Sequence, residues 1–179
     1  SIAAGVTTLS IEKALGPKAS VIRVMPNMPA MVAKGISAIS RGRFSGSNDL
    51  RTAFRIFSGL GEVIEVKEKM MDAVTSVSGS GPGYYFLFTH LLARAARANG
   101  FGKGLAMKLA KATFIGAAEL ARQSDLSMEE LVKKVASKGG TTEAALKVFR
   151  QEKLEAIIKK AVKAAAHRSL SLHSDNVKV

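Results

Sequence analysis

The sequence predicts a mixed fold, in which residues 1–68 complete an α/β sheet and residues 69–179 are all helical. Three observations support this prediction. Short runs of β-branched residues recur in the first part of the chain, apolar residues recur at helical spacing through the second, and hydrophobic residues make up 47% of the whole. This apolar content is enough to bury a core and argues against disorder.

Three short strands and one helix are predicted in the first part. β-Branched residues are concentrated at 21–25, 35–40 and 63–66, and the first of these runs stops at Pro26. Between the second and third runs, apolar residues within 49–57 recur at helical spacing. This order is typical of the end of a wound sheet. Because a few short strands do not form a stable core alone, we expect further structure in front of them or a partner beside them.

Residues 70–175 predict a series of helices separated by glycine-rich breaks. Asp72 is expected to cap the first helix, which the Gly- and Pro-rich segment 78–83 kinks or divides. Ser127 and Glu130 predict a capping box for a later helix. That helix has Leu131, Val132 and Val135, which are expected to face inward. Mostly apolar or small residues at helical spacing mark two further helices: Leu105, Leu109, Ala112, Gly116 and Leu120 in one, and Leu154, Ile157, Ile158, Ala161, Ala165, Arg168 and Leu172 in the other.

Composition excludes several classes of function. The chain has no cysteine, which rules out disulfides, thiolate zinc sites and a cysteine nucleophile, and which fits a reducing compartment. Its three histidines show no metal-ligand spacing, so no metal site is predicted. No apolar stretch approaches the roughly 20 residues that a membrane span needs. No Ser, His and Asp fall into a recognised catalytic pattern.

The net charge of +13 invites a nucleic-acid interpretation, but its distribution argues against one. Residues 1–102 hold 12 Lys+Arg and 6 Asp+Glu, and residues 103–179 hold 15 and 8, so the excess is spread evenly. Aromatic residues make up 6% and do not alternate with basic ones, as stacking platforms require. A solvated surface rich in lysine is the simpler interpretation.

The first segment that could bind a ligand is a helix start preceded by two glycines. Gly139 and Gly140 precede Thr141 and Thr142, and Ser137 lies just upstream. A helix N-terminus presents free N–H groups and a positive dipole end, and glycines let an anion approach the backbone. The segment therefore suits a carboxylate or phosphate. A plain loop with an N-cap is the alternative.

Two glycine-rich segments resemble a dinucleotide fingerprint but fail to match it. In segment 78–83 the third glycine position of G-x-G-x-x-G falls on Tyr84, and in the segment that starts at Gly59 it falls on Ile64. The first segment instead indicates a bend where backbone passes close to a ligand or another helix. A bend that serves packing alone remains the alternative.

The third segment is Met25-Pro26-Asn27-Met28-Pro29, which directly follows a predicted strand. Its prolines predict an extended loop at the position where α/β folds bind their ligands. Asn27 offers both donors and an acceptor. A rigid turn without a ligand is the alternative.

Taken in this order, the segments resemble pyrroline-5-carboxylate reductase. Residues 23–30 look like the family's loop after a late strand of its Rossmann-type nucleotide domain, residues 72–82 like the opening of its helical dimerisation domain, and residues 137–142 like its substrate loop. Arg168-Ser169 and residues 1–5 also fit. The resemblance runs from residue 1 to about 172. It implies the C-terminal remnant of a Rossmann-type domain, followed by an all-α dimerisation domain.

The resemblance implies reduction of 1-pyrroline-5-carboxylate to L-proline with NADPH or NADH, in proline biosynthesis. Thr142 corresponds to the position that hydrogen-bonds the ring nitrogen. The resemblance also implies a cytoplasmic homodimer joined through the helical domains and open to higher assembly. As the composition also indicates, no role for nucleic acid, membrane or metal is expected. The carboxylate is expected on Ser137, Gly139, Gly140 and Thr141, and the nicotinamide beside Ala4, Met25, Pro26 and Asn27.

Four departures from the family pattern are evident. Lys138 replaces a usual Pro, Met28 a usual Thr and Gly83 a usual Ala. The fourth is larger, because the family's first βαβ units, with their Gly-rich cofactor turn, are expected to precede Ser1. Without that turn, the chain by itself is expected to bind little or no cofactor and to be inactive. A related imine or keto-acid reductase and a non-catalytic helical oligomerisation module are the alternative functions.

Overall fold

The computed structural model describes residues 1–16 and 18–175, so the last four residues of the predicted helical domain lie outside it. The regular elements follow in chain order: α1 (Thr8–Leu15), β1 (Ile22–Met25), a 3₁₀ helix (Met28–Val32), β2 (Gly35–Arg41), α2 (Ser47–Ser58), β3 (Gly61–Glu65), a 3₁₀ turn (Glu68–Met70), α3 (Met71–Val74), a π-helical turn (Thr75–Gly79), α4 (Gly81–Ala98), α5 (Lys103–Gln123), α6 (Met128–Val135), α7 (Thr141–Gln151) and α8 (Leu154–Asp175). This mixed architecture confirms the predicted fold class. Sequence patterns did not predict α1.

The three strands form one sheet in the order β1-β2-β3. β1 pairs with β2 antiparallel, with Val24 opposite Ile39, and β2 pairs with β3 in parallel, with Ser37 opposite Val63. Helix α2 covers one face of this sheet, because its apolar stripe points inward. Val24, Ile39 and Ala53 form the buried core there, and Ile22, Leu50, Phe54, Phe57 and Val63 pack around them.

The opposite face of the sheet is more polar. Arg23, on β1, is 2% exposed and donates to Glu68 Oε1 at 2.8 Å, and the same oxygen accepts the N–H of Thr8 at 3.3 Å. Met71, at the start of α3, is fully buried. The carboxylate of Glu68 thus joins β1, α1 and the 3₁₀ turn before α3.

The chain forms two compact units. The sheet-containing unit comprises Ser1–Gly83 and the C-terminal segment from Lys159, and the helical unit comprises Tyr84–Ile158. Helices α4 and α8 each contribute residues to both. The predicted division at residues 68 and 69 stays a prediction.

Three local predictions need correction. Asp72 does not cap a helix, because the 3₁₀ turn Glu68–Met70 leads straight into α3 and supplies the acceptors; the Asp72 carboxylate instead accepts the hydroxyl of Ser169 at 2.6 Å. The loop after β1 is extended at Asn27 and then forms a 3₁₀ helix, with Pro29 in its first turn, so it is not extended along its whole length. The interruption predicted at 78–83 is present, because a π-helical turn (Thr75–Gly79) separates α3 from α4, which begins at Gly81. Two side chains of α6 expected to face inward, Val132 and Val135, are exposed, and Leu131 is half-buried.

Candidate active site

The start of α7 depends on two glycines that are needed for different reasons. Gly139 has a φ of +71°, in the left-handed region, although open space surrounds its Cα. Gly140 is the N-cap in an extended conformation, and a Cβ there would lie 2.5 Å from Ser137 Oγ and 2.9 Å from its carbonyl oxygen. Backbone conformation thus requires the first glycine, and close packing requires the second.

The hydrogen bonds of this loop leave the helix start open to a ligand. Gly140 donates to the carbonyl of Ser137 at 2.9 Å, which closes the turn. The N-cap residue is Gly140, which has no side chain to accept a first-turn N–H. Thr141 is exposed and Thr142 is half-buried. The first-turn N–H groups of α7 are therefore not capped by any side chain at the N-cap position.

A carboxylate already binds one N–H of this loop. Glu143, in the first turn of α7, accepts the N–H of Gly139 at 2.6 Å. A short charge-assisted bond of this kind is the interaction that an anionic ligand would make with the neighbouring amides. Lys138 is exposed beside them and adds positive charge. The first-turn N–H groups and the helix dipole make this segment a candidate carboxylate site.

The four residues predicted to contact nicotinamide lie in the sheet-containing unit. The amino group of Ser1 donates to the Ile22 carbonyl at 2.7 Å, and Val24 N–H donates to the Ser1 carbonyl at 2.8 Å, which is a parallel pairing. Because the two segments run in the same direction, Ala4 follows the paired Ser1 at the same edge of the sheet at which β1 ends with Met25. Ligands bind at such carboxyl ends of parallel strands.

The structure joins the loop after β1 to the glycine-rich turn at 78–83. Asn27 donates from Nδ2 to the Ser78 carbonyl at 3.2 Å and accepts the Ile36 N–H on Oδ1 at 3.0 Å. A Cβ on Gly79 would lie 3.0 Å from the terminal methyl of Met25. Two segments that the sequence marked independently are thus in direct contact. The backbone of the second segment approaches Met25 of β1, whereas the sequence predicted an approach to a ligand or another helix.

Each group of predicted residues lies within one unit. Ser137, Gly139, Gly140, Thr141 and Thr142 are all in the helical unit, whereas Ala4, Met25, Pro26 and Asn27 are all in the sheet-containing unit.

Sequence patterns missed one buried polar cluster, in the sheet-containing unit. Ser169, which is 3% exposed, donates to Asp72 Oδ1, and His173 Nε2 lies 3.1 Å from the same oxygen. Asp72 and Ser169 are 97 positions apart, so no local motif predicts their contact. The cluster fixes the C-terminal part of α8 to α3.

Neither a metal-binding cluster nor a membrane-spanning helix is found in the described part of the chain. Across residues 1–16 and 18–175, no three His, Cys, Asp or Glu side chains come together as metal ligands. No helix within the same residues is long and apolar enough to cross a membrane.

The helical region matches a known protein family. Residues 68–172 match a family profile described as pyrroline-5-carboxylate reductase dimerisation. Pyrroline-5-carboxylate reductases from Synechocystis and Pseudomonas aeruginosa are 41% and 38% identical to this chain, over 96% of its length in each case. The chain therefore belongs to the pyrroline-5-carboxylate reductase family.

Solved structures agree with this assignment. A pyrroline-5-carboxylate reductase from Coxiella burnetii is 37% identical with a TM-score of 0.90, and one from Plasmodium falciparum, with NADP bound, is 30% identical with a TM-score of 0.87. Each match covers 96% of this chain, and 64% and 69% of the respective structure. The chain spans about 64% of the length of the curated relative from Synechocystis and 63% of that from Pseudomonas aeruginosa.

Proposed function

We propose that the complete gene product reduces 1-pyrroline-5-carboxylate to L-proline with NADPH or NADH, as an enzyme of proline biosynthesis. Similarity to reductases of this name along 96% of the chain supports the proposal. The observation that carries it is the start of α7, where Gly139 and Gly140 expose first-turn N–H groups and Glu143 already provides one bound carboxylate.

The substrate carboxylate binds the loop from Ser137 to Thr141 in this proposal. The N–H groups of the first turn of α7 donate to its oxygens, and the positive end of the helix dipole favours its charge. Lys138 strengthens this attraction over a longer range. The ring nitrogen accepts a hydrogen bond from the hydroxyl of Thr142, which makes Thr142 the catalytic residue.

Ala4, Met25, Pro26 and Asn27 line the nicotinamide side in this proposal. They suit that role because Met25 and Pro26 are half-buried at the carboxyl end of β1, where the parallel pairing with Ser1 ends. When bound, the nicotinamide would supply a hydride for the imine carbon, and the ring nitrogen would take one proton from solvent water by way of the Thr142 hydroxyl. These residues orient the ring and exclude water from it.

The active form in this proposal is a cytoplasmic homodimer joined through the helical region, with further assembly of dimers. Large apolar side chains exposed in the helical unit support it, since a second chain would cover them. Examples are Tyr85, Leu87 and Phe88 on α4 and Leu105 and Leu120 on α5, which are 50% to 63% exposed.

Activity of the complete gene product tests the proposal. Purified protein should oxidise NADPH or NADH in the presence of 1-pyrroline-5-carboxylate and form L-proline. Thr142→Val, which keeps the shape and removes the hydroxyl, should lower kcat about 100-fold, and Thr142→Ser should retain most of it. Unchanged turnover of Thr142→Val would contradict the role of Thr142.

The same assay separates the two alternatives. A related reductase would turn over another cyclic imine or keto acid faster than 1-pyrroline-5-carboxylate. A non-catalytic oligomerisation module would form dimers and oxidise no cofactor with any of these substrates.

A further inference from the structure

The glycine-rich turn before α4 contains a carbonyl group whose ordinary α-helical donor is missing. In a continuous α-helix, the carbonyl of Ser78 would accept the N–H of residue 82. Residue 82 is Pro82, which has no N–H, and its ring also crowds the carbonyl four residues earlier. The backbone responds with a π-helical turn, in which Ser80 N–H donates to the Thr75 carbonyl at 2.9 Å.

The amide of Asn27 takes the place of the missing donor. Its Nδ2 donates to the Ser78 carbonyl at 3.2 Å, and its Oδ1 accepts the Ile36 N–H at 3.0 Å. The two partners fix the orientation of the amide, because a backbone N–H requires the oxygen and a carbonyl requires the nitrogen. The contact is partly buried, so the fold would lose stabilising free energy if the Asn27 amide did not donate to the Ser78 carbonyl.

A second contact holds the same two segments together. The terminal methyl of Met25 lies against Gly79, where any side chain would crowd it at 3.0 Å from the Cβ position. Met25 and Asn27 flank Pro26, so both ends of the proposed nicotinamide contact segment are fixed by the turn at Ser78 and Gly79. The position of this segment therefore depends on that turn.

We propose that Asn27 is a positioning residue, whose side-chain amide replaces the backbone donor that Pro82 removes and thereby holds Met25 and Pro26 in place for hydride transfer. The inference rests on the proposed reductase function. It assigns the Asn27 side chain a specific task, which is to satisfy the Ser78 carbonyl. In this inference Met25 and Pro26 contact the nicotinamide, and the Asn27 amide holds them in position.

Asn27→Asp tests this inference, because aspartate keeps the acceptor for Ile36 N–H and loses the donor to the Ser78 carbonyl. We expect kcat to fall about 10-fold, since misplacing reacting groups by a fraction of an ångström slows transfer. The KM for 1-pyrroline-5-carboxylate should stay within about 2-fold, because that substrate binds at α7 in the proposal. The isotope effect with NADPH deuterated at the transferred position should rise, which a loss of folded protein alone would not cause.

Pro82→Ala provides the decisive second variant. Alanine restores an N–H at residue 82, so the Ser78 carbonyl regains a backbone donor and no longer needs Asn27. Asn27→Asp combined with Pro82→Ala should therefore recover at least 3-fold of the lost kcat, a non-additive result. Asn48→Asp is the matched control on the exposed surface of α2, and it should keep wild-type kcat.

The outcomes are distinguishable. If the wild type reduces 1-pyrroline-5-carboxylate and Asn27→Asp does so with unchanged kcat, the inference is overturned and the proposed function stands. Strictly additive effects of the two substitutions would also overturn it, because the Ser78 carbonyl would not be shared between them. If the wild type itself shows no turnover, the proposed function fails and the inference fails with it.

Discussion

The two compact units differ in what they bury. In the sheet-containing unit, Ile39 and Met71 are fully buried and Val24 is 3% exposed. In the helical unit, the buried apolar residues within the described part of the chain are small ones, Ala93, Ala106 and Ala110. The first unit fully buries large apolar side chains, whereas the apolar residues that the second unit buries fully are alanines and many of its large apolar side chains are exposed.

This difference supports the proposal that a partner chain covers the helices of the second unit. Isolated exposed apolar residues are ordinary, but a set of them along consecutive helices marks an interaction site. Buried alanines let helices approach closely, and exposed leucines and aromatic residues then supply the area for a second chain. The comparison supports the proposal that the dimer forms through the helical region.

The largest expected effect is the loss of dimerisation when a charge is placed on the helical unit and not on the sheet-containing unit. Leu87→Glu, on α4 in the helical unit, should weaken dimerisation at least 100-fold, because a buried carboxylate would face the partner chain. Ile56→Glu, on α2, is the matched control, since Ile56 is 61% exposed and Leu87 is 57% exposed. Sedimentation equilibrium should show monomer for the first variant and dimer for the second. Equal dimerisation of both variants would contradict the assignment of the interface.

The core of the sheet should respond strongly to a cavity. Ile39→Ala removes three carbon atoms from a fully buried site between β1 and α2, which should cost about 3 kcal/mol of unfolding free energy. Ile56→Ala, at an exposed site, should change it by less than about 0.5 kcal/mol. Chemical denaturation of the two variants measures the difference, and a similar loss in both would mean that this core does not stabilise the unit.

The buried contact between Asp72 and α8 should have an intermediate effect. Ser169→Ala removes the hydroxyl that donates to Asp72, and it leaves a buried carboxylate less satisfied, at a cost of about 2 kcal/mol. Ser58→Ala, whose exposed hydroxyl bonds only to its own helix, is the control. Thermal unfolding should show a clear decrease in Tm for Ser169→Ala alone. An unchanged Tm would mean that the contact contributes nothing.

The smallest expected effect concerns the start of α6. Hydrogen bonds from the hydroxyl and the N–H of Ser127 lower the pKa of Glu130 below its ordinary value of 4.5. A lowered folded-state pKa means that the associated stability is present above the ordinary pKa and is lost as the pH falls through the folded value. A carbon-13 NMR titration of the Glu130 carboxyl should detect the shift. Ser127→Ala should return the pKa towards 4.5, and an unchanged pKa in that variant would mean that Ser127 does not cause the shift.

Local patterns predicted the parts of the fold that depend on neighbouring residues. The strands ending near Met25 and Glu65 follow from β-branched runs, and the capping box at Ser127 follows from residue spacing, with Ser127 Oγ accepting the N–H of Glu130 at 3.3 Å. The glycine-fronted start of α7 was predicted for the same reason. Each of these features is determined within a few residues of sequence.

Features that depend on distant residues were not predictable in this way. The spacing of Val132 and Val135 shows an apolar face, but it does not show whether the same chain or another one covers that face. Asp72 was expected to cap a helix, because no local signal shows that Ser169 approaches it. Asn27 was identified as a polar residue in a promising loop. Its partner, the Ser78 carbonyl, is 51 positions away, so no local signal predicts the contact.

A crystal structure of the complete gene product with L-proline tests the central claim most directly, because proline has the same carboxylate as the substrate. The account predicts that the carboxylate oxygens lie within about 3.2 Å of first-turn N–H groups of α7, with the ring nitrogen beside the Thr142 hydroxyl. A proline carboxylate bound away from residues 137–142 would contradict it.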